Sequence, residues 1–105
     1  INATSLDTAV RHKLPIVTVV NVNGGWTATP EGRPNKPWIF LGSDQRYDKL
    51  GEALGTHGEY VDEPDQIRPA LERAFESGKP AVINVVTDPH ATSTTQAFGI
   101  YSSRG

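Results

Sequence analysis

Two stretches of this chain are apolar without polar alternation. Ile16–Val20 is a β-branched run, and Ala81–Val86 is rich in valine and isoleucine. That pattern predicts parallel strands buried on both faces, Ile16–Asn21 and Ala81–Val86. Three other spans gather their apolar residues on one helical face. In Ile1–Lys13 these are Leu6, Ala9 and Val10, with Leu14 following on the same face; in Asp44–Leu54 they are Tyr47, Leu50 and Leu54; in Asp62–Ser77 they are Ile67, Leu71, Ala74 and Phe75. Thr4 and Asp7 have capping-box spacing, and Ser43 or Asp44 can cap the second helix. Pro64 suits a helix start, while Pro69 either kinks that helix or marks a later start. Pro15, Gly55 and Gly78 mark helix ends. His57–Val61 reads as a short strand.

The order is therefore helix, strand, long loop, helix, short strand, helix, strand. It implies a three-layer α/β/α fold with a parallel sheet. Strands joined by helical crossovers run parallel, so their carboxyl ends share one edge. Asn23 and His90 are expected on that edge. No repeat and no linker divides residues 1–105.

Composition narrows the class. The chain has 105 residues, enough for one small domain with a modest core. Only 36% are hydrophobic, with eight prolines and ten glycines, so some surface is expected to rest against further protein. The net charge of −2, with both signs interspersed, argues against a nucleic-acid partner or a polybasic membrane patch. No cysteine is present, which excludes disulfides and thiolate metal sites. No apolar run approaches a membrane span or a signal peptide, and a cytoplasmic setting is expected. Opening on INATSLD, the chain reads as part of a longer protein.

The chemistry concentrates where the first strand ends, in Asn21-Val22-Asn23-Gly24-Gly25-Trp26. The Asn23 side-chain oxygen can ligate a hard cation, and the glycines let backbone approach a ligand or adopt positive φ. Open α/β sheets bind ligands just beyond the carboxyl ends of their strands. The competing reading is a plain glycine turn. The irregular stretch from Asn23 to Gly42 contains three prolines, and loops this long in compact domains are commonly functional. Trp26 is read either as a packing anchor or as a neighbour of a ligand, and Trp38 as an anchor. Arg33 and Lys36 are read as solvated charges, with an anionic substrate as the alternative. Of the three histidines, His90 is best placed for a role after the last strand; His12 and His57 read as surface or structural residues. Asp88 with Pro89 reads as a turn start.

SLDTAVRHKLPIVTVVNVNGGW resembles the C-terminal half of the thiamine diphosphate motif of the decarboxylase and acetolactate synthase superfamily. In that family the motif opens on Gly-Asp-Gly and closes on Asn-Asn. The aspartate, the second asparagine and a later backbone carbonyl hold Mg²⁺. The resemblance implies that Asn23 supplies a side-chain ligand and Gly25 a carbonyl, with Asn23, Gly24, Gly25 and Trp26 facing the cofactor. Val22 stands in place of the first asparagine, and the expected Gly-Asp-Gly falls before Ile1. Later segments match in order, so the resemblance covers nearly the whole chain, as the later part of a thiamine diphosphate-binding domain. Residues 91–105 would be either a lid over the active site or a mobile tail.

The resemblance implies thiamine diphosphate and Mg²⁺ as cofactors, and an enzyme that makes or breaks C–C bonds beside a carbonyl. Asn-Gly-Gly followed by an aromatic is similar to the 2-hydroxyacyl-CoA lyase and oxalyl-CoA decarboxylase group. An acetolactate synthase-like carboligase is the alternative, and a non-catalytic module retaining the fold is the alternative of another class. The expected partners are a small carbonyl or acyl-CoA substrate and further subunits of the same protein, as a dimer or tetramer. No catalytic acid or base is assigned within the chain; the family's activating glutamate belongs to a partner subunit.

Overall fold

A computed structural model describes residues 3–25, 42 and 44–88. Three parallel strands make one sheet in the order β1-β3-β2, where β1 is Val17–Val22, β2 is His57–Val61 and β3 is Ala81–Val86. Helix α1 spans Thr4–Arg11, α2 Tyr47–Ala53 and α3 Ile67–Glu76. The expected α/β fold with a parallel sheet is present.

β3 is the central strand, and its sequence shows why. Ala81, Val82, Ile83 and Val85 are all buried. Side chains alternate between faces, so Ala81, Ile83 and Val85 join Val61, Ala70 and Ala74 in one core beneath α3. Ala70 and Ala74 are small, which lets α3 lie close to the sheet. Burying Ile83 alone contributes about 1.5–3 kcal/mol. On the other face α2 approaches still more closely through Gly51, where a Cβ would stand 2.7 Å from Val82.

The expectation of burial on both faces holds for β3 and not for β1. β1 lies at an edge of this sheet, and Ile16 and Val19 are 51% and 48% exposed. An unbroken apolar run states what a strand can bury, not which elements cover it.

The helix ends follow local chemistry. α1 begins after Ala3, so Thr4 is already helical and the anticipated Thr4–Asp7 capping box does not form. Asp7 instead pairs with Arg11 at 2.8 Å across one turn. α1 stops before Pro15, in a Schellman turn: Leu14 N–H donates to the Ala9 carbonyl and Lys13 N–H to the Val10 carbonyl. Lys13 occupies the left-handed position with φ 54°. Gly55 and Gly78 hold the corresponding places after α2 and α3. α2 starts at Tyr47, three residues later than the sequence suggests. Before α3, Pro64–Gln66 forms one 3₁₀ turn in which Glu63 and Gln66 make a reciprocal capping box. Pro69 is then only the third residue of α3, where its missing N–H removes no helical bond.

Candidate functional site

β1 and β3 end in register, Val22 beside Val86, and the Thr87 N–H donates to the Val22 carbonyl at 2.9 Å. Asn23 therefore stands next to Thr87 at the carboxyl edge of the sheet, the side on which open α/β folds take ligands. His90, the other residue expected there, lies outside the described residues, as do Trp26, Arg33, Lys36, Trp38, Ser43 and the 91–105 tail.

The loop after β1 is folded by its own side chain. The Asn23 Oδ1 accepts a hydrogen bond from the Gly25 N–H at 3.2 Å. An amide oxygen has two lone pairs, so this bond orients the group and leaves acceptor capacity. Gly24 sits at φ 83°, a conformation that excludes most side chains. Its open face meets Gly42: a Cβ there would lie 3.6 Å from the Gly42 carbonyl oxygen. Gly42 is itself at φ 77°. The backbone leaving β1 thus passes about one side-chain atom's width from the backbone that will enter α2.

Asn23 Oδ1 and the Gly25 carbonyl are neutral, hard oxygen donors of the kind Mg²⁺ accepts. They bring no negative charge. Among the described residues no group of three or more His, Cys, Asp or Glu side chains could hold a metal. By donor chemistry these two oxygens suit Mg²⁺, and they would leave its charge to be balanced by other groups.

Polar groups that sequence reasoning missed lie beneath this edge. Asn84, in the middle of β3, is fully buried, and its Oδ1 accepts the Tyr47 N–H at 2.9 Å. Tyr47 opens α2, so Asn84 satisfies one of the free donors at the helix start. Among the described residues the Asn84 Nδ2 has no hydrogen-bond partner. Asp48 is also buried and receives two bonds from Arg46, at 2.9 and 2.8 Å. Those bonds hold its carboxyl below the usual carboxylate range against the opposing effect of burial, with help from the Asp48 and Lys49 backbone N–H groups. The Arg46 guanidinium covers the Tyr60 ring at 4.1 Å. The one sequence signal for Asn84 was an amide within an otherwise apolar strand.

The other two histidines are not brought to this edge. His12 is exposed just after α1. His57 starts β2, across the sheet from β1 and at its amino end, where it meets Glu59 at 2.6 Å. Glu59 is bound more fully by Arg73, which lowers its pKa, with the His57 bond acting in the same direction.

The thiamine pyrophosphate enzyme family, through its C-terminal TPP binding domain, matches residues 1–85. The chain belongs to this family. It is 47% identical over 89 residues to the acetolactate synthase large subunit of Mycobacterium tuberculosis, covering 79% of this chain and 16% of that protein. It is 35% identical over 100 residues to the 2-hydroxyacyl-CoA lyase of Oryza sativa, covering 86% and 17%. The oxalyl-CoA decarboxylase of Escherichia coli K12 is 37% identical over 92 residues, 82% of this chain and 16% of that protein. The chain thus spans about a sixth of the length of these relatives. Thiamine diphosphate is the cofactor of the family, and the matched residues include the Asn23–Gly25 loop.

Proposed function

We propose that this chain is the later part of the thiamine diphosphate-binding domain of a Mg²⁺-dependent enzyme that makes or breaks C–C bonds beside a carbonyl. The observation that carries the reading is the Asn23–Gly25 loop at the carboxyl edge of a parallel sheet, inside the matched TPP-binding region. Asn23 Oδ1 and the Gly25 carbonyl each ligate Mg²⁺. Gly24 lets backbone approach the cofactor; Trp26, which the family resemblance assigns to the same surface, is outside the described residues. The Gly25 N–H steadies the Asn23 amide before the metal arrives, which lessens the ordering required on binding. Mg²⁺ needs further oxygens and negative charge, supplied by the diphosphate and by a carboxylate outside the described residues.

When bound, thiamine diphosphate supplies the nucleophilic carbon and the electron sink that the bond change requires. No acid or base of this chain is assigned to that step, and the protein works as a cytoplasmic dimer or tetramer on a small carbonyl or acyl-CoA substrate. The higher identity to acetolactate synthase favours carboligation over the acyl-CoA lyase and decarboxylase reading. Assays of the full-length protein with Mg²⁺ and thiamine diphosphate separate these readings. Acetolactate formation supports the carboligase, whereas cleavage of a 2-hydroxyacyl-CoA or decarboxylation of oxalyl-CoA supports the other branch. Cofactor binding with none of these turnovers favours a non-catalytic module.

A further inference from the structure

We propose that Asn84 is a positioning residue for the Asn23–Gly25 loop, acting through the start of α2. The inference rests on the metal-ligand reading of that loop.

Both limbs of the chain around the loop hang on β3. The outgoing limb is tied where Thr87 N–H meets the Val22 carbonyl, one residue before Asn23. The returning limb is tied where the Tyr47 N–H meets Asn84 Oδ1. Asn84 lies in β3 and Thr87 directly follows its last residue, three residues and about 10 Å further along. A single buried strand therefore fixes the spacing of the two limbs. They pass close together at Gly24 and Gly42, five residues before Tyr47, where a Cβ on Gly24 would already be in van der Waals contact with the Gly42 carbonyl. The Arg46–Asp48 pair stiffens the entry to α2 between that contact and the helix. A shift of the Tyr47 amide is passed to Gly42, then to Gly24, and so to the oxygens of Asn23 and Gly25.

The chemistry of Asn84 supports this role over simple filling of the core. Its Nδ2 is buried without an acceptor among the described residues, which opposes stability, and a leucine of similar size would carry no such group. What the amide provides is the Oδ1 bond to a backbone 37 residues away.

The test is calorimetric titration of the full-length protein with Mg²⁺ and thiamine diphosphate, well below its melting temperature, beside Asn84→Leu, Asn84→Asp and Asn23→Ala. Asn84→Leu removes the acceptor and is expected to weaken cofactor affinity about 10-fold or more, the range seen when outer partners of metal ligands are lost. Asn84→Asp keeps an oxygen for the Tyr47 N–H and should bind within about threefold of wild type, well short of that range. Wild-type affinity in Asn84→Leu, or equal weakening by leucine and aspartate, overturns the proposal. If Asn23→Ala weakens binding and Asn84→Leu does not, the positioning inference fails and the ligand reading stands. Unchanged binding by Asn23→Ala defeats both. Should Asn84→Leu not fold, Gly42→Ala carries the test from the other end. It leaves β3 and Asn23 intact but strains a residue at φ 77°, where a Cβ would be 2.8 Å from the Asp44 carboxylate. Weaker binding by that variant supports the proposal, and unchanged binding contradicts it.

Discussion

Arg73 reaches from α3 to β2 and donates two hydrogen bonds to Glu59, at 3.0 and 2.7 Å. The pair joins a helix to an edge strand on the face that carries the main core. Arg73, foremost, and then the His57 bond hold the Glu59 carboxyl below its ordinary value of about 4.5. The folded protein therefore binds this proton less readily than the unfolded chain. The resulting stabilisation is fully present above the unfolded pKa and is lost as pH falls through the lower folded value. In Glu59→Gln, the fall in unfolding free energy below about pH 4.5 should be shallower by up to about 1.4 kcal/mol per pH unit. Urea unfolding at a series of pH values measures this. Parallel curves for wild type and variant would show that the pair does not couple protonation to folding.

Gly51 offers a contest between helix propensity and packing. Alanine should gain about 1 kcal/mol within α2 on propensity alone. Yet a Cβ there would stand 2.5 Å from Thr56 Oγ1 and 2.7 Å from Val82 Cγ2. Overpacking of this kind costs about 1–3 kcal/mol, so Gly51→Ala is expected to lower the melting temperature. A rise on thermal unfolding would mean that α2 can move away from β3 freely.

Lys13 presents the opposite case. Its left-handed φ of 54° costs about 1–2 kcal/mol for a residue with a Cβ. Glycine removes that strain but adds about 0.5–1 kcal/mol of backbone entropy. Lys13→Gly should therefore stabilise by up to about 1.5 kcal/mol, read as a higher urea midpoint at constant slope. A lower midpoint would show that the lysine side chain has a stabilising contact of its own.

Much of the fold was legible because it rests on short-range chemistry. The apolar run Ala81–Val86 is the central strand, and Gly55 and Gly78 stop their helices in the left-handed conformation. The Asn23 loop was legible from a strand running into asparagine and glycine, and its place at the carboxyl edge followed from the crossovers. The exposed side of β1 was not legible, since sequence pattern does not reveal which elements are present to cover Ile16 and Val19. Thr4 could not be distinguished from a cap, because helix starts shift by one residue at little cost. Asn84 and Asp48 escaped for another reason. A buried polar residue makes sense only with its partners, and the Tyr47 amide lies far from Asn84 in sequence.

Asn23 is proposed to ligate Mg²⁺ beside thiamine diphosphate. Titration calorimetry of full-length Asn23→Ala tests it most directly, because the substitution removes one oxygen and leaves the diphosphate contacts in place. Metal and cofactor each help to hold the other, so their affinities should fall together. Affinities for Mg²⁺ and thiamine diphosphate that match the wild-type protein would show that Asn23 is not a ligand.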